Sequence, residues 1–198
     1  MAAVKLTKNE LKKQRDALKR FQRYLPTLVL KKQQLQMVIR QVEGKEREKR
    51  NQQEMVREEI RNWIEVFGEP FPLDEYLAVD RVETETGNIA GVDIPVFKNI
   101  TFKDLDYHLF ETPLWIDRAL EKLKEIIALD EEVKILQQQI ALLSKELRTT
   151  TQRVNLFEKV KIPETKENIR VIRIYLGDQQ TAAVVRGKIA KKKLVKEA

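Results

Sequence analysis

Apolar residues recur every seven positions between Ile126 and Phe157. Ile126, Val133, Ile140, Leu147 and Val154 share one heptad position, and Leu129, Leu136, Leu143 and Phe157 share its companion, with Thr150 breaking the series. Apolar spacing that alternates between three and four makes a narrow seam, which a helix can bury only against another long helix. A second seam lies near the N-terminus. Leu11, Leu18, Leu25 and Ile39 occupy one position, and Phe21, Leu28, Leu35 and Val42 the other. After a polar interruption at Glu46, Lys49 and Gln53 the register resumes at Val56, Ile60, Trp63 and Phe67. Two seams flanking a short insert predict a mainly α chain, a long antiparallel two-helix coiled coil. Pairing of each seam with a second copy of the chain is the alternative.

Local signals set the expected boundaries. Thr7 and Glu10 form a Thr-x-x-Glu capping box that opens the first helix. Pro26 lies inside it, lacks an amide hydrogen and crowds the carbonyl four residues earlier, so a kink is expected. Gly68, Pro70 and Pro72 end the pattern near Phe67. In the insert the period changes to two: Val92, Ile94 and Val96 read as a short strand, Val79–Glu85 as its partner, and Thr86-Gly87-Asn88 as the turn. Pro95 restricts this ribbon to an edge or an isolated hairpin, which must lean on something else for stability. Thr112 and Pro113 suit the N-cap and first position of the second helix. Beyond Pro163 the stripe Ile169, Ile172, Leu176 and Val184 continues. The expected organisation is an N-terminal coiled-coil helix over residues 1–67, a central insert with a short β-hairpin over 68–112, and a C-terminal helix with a basic tail over 113–198, acting as one structural unit.

Composition narrows the chemistry. Charged residues make up 35% of the 198, with six glycines and six prolines, which suits solvated helices. No cysteine is present, which excludes disulfides and thiolate chemistry and fits a reducing compartment. No secretory leader and no run long enough for a membrane span is expected. The net charge of +7 is uneven. Gly68–Thr112 holds ten acidic and three basic residues, whereas Arg186–Ala198 holds six basic residues against Glu197. The single histidine, His108, sits beside Tyr107 and reads as a packing residue. Gly44-Lys45 and Gly187-Lys188 lack the rest of a phosphate loop. No pair of carboxylates is singled out as acid and base, so no catalytic, cofactor-binding or metal-ligating residue is predicted. The basic tail lacks the interleaved aromatics or reading motif of a nucleic-acid binder.

Three segments resemble a known family. They are the Lys/Leu-rich helix from Leu6 to Val42, the run Asn88-Ile89-Ala90-Gly91-Val92-Asp93-Ile94-Pro95-Val96, and the block Thr151-Gln152-Arg153-Val154-Asn155-Leu156-Phe157-Glu158 followed by Ile162-Pro163. Together they resemble the central-stalk D subunits of V-type and A-type rotary ATPases, and Glu167–Lys193 with Tyr175-Leu176-Gly177-Asp178 is similar to the bacterial branch. The resemblance implies a non-catalytic rotor shaft that couples ATP hydrolysis or synthesis in a hexamer of A and B subunits to proton or sodium transport. It implies further partners in the small F subunit and in the funnel-shaped subunit above the membrane ring, with no cofactor and no nucleic acid. It also implies a location at the cytoplasmic face of the plasma membrane. Candidate partner contacts are the basic residues Arg186, Lys188, Lys191, Lys192 and Lys193, together with the insert residues Ile89, Val92, Ile94 and Val96. A coiled-coil tether or chaperone-like scaffold is the alternative.

Overall fold

The structure is a computed structural model that describes residues 4–62, 73–103, 112–113 and 115–197. In chain order it contains helix α1 (Lys8–Arg61), a single turn α2 (Leu73–Tyr76), strands β1 (Val79–Ile89) and β2 (Val92–Phe102), helix α3 (Ile116–Asn155), a π turn (Leu156–Lys161) and helix α4 (Ile162–Glu197). It is mainly α, with a small antiparallel hairpin between two long helical segments, as the seams predict. Trp63, Phe67, Gly68, Pro70, Pro72 and His108 lie outside the described residues.

The Thr7 cap is half of a capping box. The Glu10 amide donates to Thr7 Oγ1 at 3.2 Å, satisfying one orphan donor of the first turn. The Glu10 carboxylate does not complete the box by reaching back. It accepts from Gln14 Nε2 at 2.9 Å, while the Thr7 amide donates to the Lys5 carbonyl. Helix α1 runs unbroken past Pro26, and Thr27 Oγ1 donates to the Tyr24 carbonyl at 2.8 Å beside it.

The chain divides into two compact units. One is Gln33–Arg148. Here the second half of α1 packs antiparallel against α3, around a core of Leu35, Ile39, Val42, Leu136 and Leu143, with Ile140 and Leu147 against it. The polar interruption of the first seam is a set of bonds between the helices. Gln137 Nε2 donates to Glu46 at 3.2 Å, Lys49 meets Glu132 at 2.9 Å, and Gln53 donates to Asp130. Three consecutive polar seam positions therefore find three polar partners on α3. Such pairs favour one register over a slipped one, because slippage would leave polar groups facing aliphatic ones.

The hairpin belongs to the same unit. Its register pairs Val79 with Phe102 at one end and Ile89 with Val92 at the other. The expected turn at Thr86-Gly87-Asn88 is corrected: these residues continue β1, and the chain reverses at Ala90-Gly91, where φ is +54° and +76°. Two consecutive left-handed residues give the turn twist that matches paired strands. Asn88 supports the turn by accepting from the Gly91 amide at 3.1 Å and donating to Asp93 at 2.6 Å. Gly87 sits close to its neighbours: a Cβ there would stand 3.0 Å from a methyl of Val96, which would have to shift slightly.

Helix α3 begins at Ile116, later than the expected start at Thr112-Pro113. Pro113 lies just outside, and its carbonyl accepts from the Ile116 amide at 3.1 Å.

The other unit comprises Met1–Lys32 and Thr149–Ala198. Phe21 meets Phe157 here, and Val154, Ile169 and Ile172 are buried. Thr150, the residue that breaks the heptad series, is only 1% exposed and fills its seam position despite its hydroxyl. The π turn follows. The Ile162 amide donates to the Phe157 carbonyl five residues back, and Thr165 Oγ1 donates to the Lys161 carbonyl at 2.6 Å. A π turn holds one residue more than an α turn. It therefore moves the seam by one position. Continued without it, the series would aim Glu164, Asn168 and Val171 inward; with it, Thr165, Ile169 and Ile172 are buried and Val171 is exposed. The predicted stripe beyond Pro163 holds through Leu176 but not at Val184, which is 58% exposed.

Candidate interaction surfaces

The four apolar candidate contacts of the insert are sorted by the hairpin. Ile94 is 2% exposed and enters the helical core between Leu35, Ile39, Leu136 and Leu143. Ile89 and Val92 pack against the same cluster. Side chains two apart on a strand share a face, so one face of the ribbon is committed to the helices. Val96 shares that face but sits farther from the turn and stays 39% exposed. Glu85, the cross-strand partner of Val96, meets Lys98 at 2.7 Å with both side chains largely exposed, which holds the Glu85 carboxyl below and the Lys98 ammonium above their ordinary values.

The attachment of the hairpin includes a polar bond that periodicity did not reveal. Gln139, buried on α3, donates from Nε2 to the carbonyl of Pro95 at 2.5 Å. Ile135, one turn earlier on the same face, is also buried. Ile135 and Gln139 give α3 a second buried stripe beside its seam. The adjacent apolar pair Ile135-Leu136 was the available signal, because one seam accounts for only one of them.

The five basic tail residues, Arg186, Lys188, Lys191, Lys192 and Lys193, all lie on α4 and are exposed. At roughly 100° per residue they point around the helix rather than along one face. They share this stretch with the exposed apolar residues Val184, Val185 and Ile189. Gly44-Lys45 and Gly187-Lys188 sit within α1 and α4, where the backbone amides are engaged in the helix and cannot cradle a phosphate. Among the described residues no group of His, Cys, Asp or Glu side chains could hold a metal ion, and no helix is long and apolar enough to cross a membrane.

Two further perturbed groups lie where α1 meets α3. At Glu46, burial pushes the carboxyl up, but hydrogen bonds from Arg50 and Gln137 and the charges of Arg50 and Arg47 outweigh it and leave the pKa lowered. Lys122 is raised by hydrogen bonds to Glu59 and Glu125, at 3.0 and 3.1 Å. These groups link α1 to α3 or brace one helix, and none converges on a cleft suited to chemistry.

Comparison with known proteins connects this arrangement to one family. A family model described as the D subunit of ATP synthase matches residues 10–192. The V-type ATP synthase D subunit of Borreliella burgdorferi is 55% identical over 197 residues, covering 100% of this chain and 98% of its own length. A protein of the same name from Chlamydia muridarum is 36% identical over 194 residues, covering 96% of both chains. One from Chlamydia pneumoniae is 34% identical, covering 96% of this chain and 93% of its own.

Proposed function

Because the chain belongs to the family of ATP synthase D subunits, we propose that it is the central-stalk rotor shaft of a V/A-type ATPase or ATP synthase. In this role it couples ATP hydrolysis or synthesis in a hexamer of A and B subunits to proton or sodium transport across the membrane. One observation carries the reading: the match runs from residue 10 to residue 192, through both helical segments and the hairpin. A coiled-coil tether would need only the seams, and gives no reason for the Ala90-Gly91 hairpin seated on them.

Nucleotide chemistry then belongs to A and B, and this chain is non-catalytic. The small F subunit and the funnel-shaped subunit above the membrane ring are its other partners, and these partners hold it at the cytoplasmic face of the plasma membrane. A shaft must transmit torque without the strands sliding. The apolar seam and the pairs Lys49–Glu132 and Gln53–Asp130 oppose sliding, because any axial shift disturbs several contacts together. Rotor angle changes nucleotide affinity only through contacts that differ between angles, so an asymmetric shaft surface is required.

Arg186, Lys188, Lys191, Lys192 and Lys193 are proposed as contacts with the hexamer bore, and neutralising all five weakens the coupling of ATP hydrolysis to transport. The hairpin, with Val96 its exposed apolar member among the four candidates, is proposed to modulate coupling or ATPase rate. Affinity purification of the tagged chain from its own cells tests the whole reading. A, B and F subunits should elute with it in fixed proportion. Recovery of the chain alone, or only with further copies of itself, would favour the tether.

A further inference from the structure

The unit built from Met1–Lys32 and Thr149–Ala198 contains a groove of about 450 Å³ between α1 and α4. Its rim carries four cations: Arg15 and Lys19 from α1, Lys166 and Arg173 from α4. Its floor is Leu18 and Ile169. Arg15 and Lys19 are four residues apart on one helix and Lys166 and Arg173 seven apart on the other, so each pair stacks on one face. None of the four is engaged in an ion pair or hydrogen bond with another described residue. Exposed cations without a carboxylate partner also occur elsewhere, Lys12, Lys13 and Arg23 among them; what sets these four apart is that two helices bring them to one groove. Glu167, beside Lys166 in sequence, is committed to Arg170 by two hydrogen bonds of 2.9 and 2.6 Å. The groove is therefore lined on both sides by cations that meet no carboxylate among the described residues.

We propose that this groove docks an acidic segment of a partner protein in the complex, one apolar side chain resting on Leu18 and Ile169 with carboxylates on either side. The mixed lining favours a protein segment over a free phosphate. A phosphate would leave the apolar floor uncovered, and the four cations are solvent-exposed rather than converged into the dry, bidentate geometry that holds a small anion. Unlike the tail lysines, these four are not scattered around one helix, and contact with them reads both helices at once. The surface therefore supplies an orientation-specific contact of the kind a shaft needs, an inference that rests on the rotor-shaft reading above.

The test uses the intact complex. A photo-crosslinking residue at Lys19 should join the chain to an acidic stretch of another component, identified by mass spectrometry. The variant R15E/K19E/K166E/R173E should bind the remaining complex on the order of tenfold more weakly at low ionic strength, with the gap closing as salt is raised. A control, K12E/R23E, should bind like the parent, and circular dichroism should show that all variants keep their helices. The neutral variant R15Q/K19Q/K166Q/R173Q should fall between parent and reversal; if the reversal unfolds, this one carries the affinity test. Parent-like affinity of the charge variants, with A, B and F still co-purifying, overturns the groove and leaves the rotor-shaft reading intact. Equal weakening by the control overturns it in favour of bulk charge. Saturable binding of inorganic tripolyphosphate that the variant abolishes overturns it in favour of a free anion. Absence of A, B and F from the purified chain overturns the rotor-shaft reading itself.

Discussion

Phe21 on α1 and Phe157 in the π turn meet with ring centroids 5.3 Å apart and planes inclined at 34°. The contact marks where the heptad phase of the C-terminal segment changes. A tilted aromatic pair at this separation contributes about 0.5–1.5 kcal/mol beyond its buried area. Phe157→Ala should therefore lower stability by roughly 2 kcal/mol, less than a fully buried ring would cost, since both rings are partly exposed. A double-mutant cycle with Phe21→Ala should recover about 1 kcal/mol of coupling in urea unfolding. Strictly additive effects would mean the rings pack independently.

The π turn itself is testable by deletion. It contains the extra residue that brings Ile169 and Ile172 into the seam, and Pro163 just beyond it cannot donate to an α-helical carbonyl. Removing Lys159 together with Pro163→Ala should convert the turn to continuous α-helix while keeping Ile172 buried. Stability should change by less than about 1 kcal/mol. Removing Gln138 from α3, between Leu136 and Ile140, should cost about 3 kcal/mol or more, because core residues on one side rotate out of the seam. Similar losses from both deletions would refute the phase-shift account.

Hairpin docking depends on Ile94 and Gln139. Ile94→Ala removes a fully enclosed side chain and should cost about 2–4 kcal/mol. Gln139→Ala removes the donor to Pro95 and should cost about 1–2 kcal/mol, in part through the stranded carbonyl. Hydrogen exchange should then accelerate in β1 and β2 before it does in α1. At the turn, Ala90→Gly should stabilise by about 1 kcal/mol, since alanine is strained at a φ of +54°.

How much of this was legible beforehand follows from how each element is encoded. The seams were legible because the seven-residue repeat is a property of sequence alone, and Leu35, Ile39, Leu136 and Leu143 form the core it predicts. The hairpin was legible by its alternation, but its turn was not. Thr86-Gly87-Asn88 carries stronger turn composition than Ala90-Gly91, and only the packing of Val92 and Ile94 on the helices decides the register. The π turn was hidden because its signal is the mismatch between two stripes, each of which reads as an ordinary helix. Gln139 and the groove cations were hidden for another reason: their roles depend on which residues of a distant segment face them. Among the candidate contacts, Ile89, Val92 and Ile94 were recognisable as apolar, but sequence could not say that the helices of the same chain would occupy them.

The pH dependence of stability follows from the same pairings. Glu46, Glu85 and Glu167 have lowered pKa values, so each contributes stability above its unfolded value that disappears as pH falls through the lower folded value. That loss begins below about pH 4.3. Lys98, Lys122 and Lys134 are raised, so their contributions are complete below the unfolded lysine value and vanish as pH rises above about 10.4. None of these six groups titrates between these limits. The melting temperature should stay level from roughly pH 5.5 to 9 and fall at both ends. Because most of these pairs are exposed, the acid loss should shrink in high salt. Glu46→Gln should lower the plateau slightly and flatten the acid limb. An unchanged acid limb in that variant would remove Glu46 from the account and leave Glu85 and Glu167 as its source.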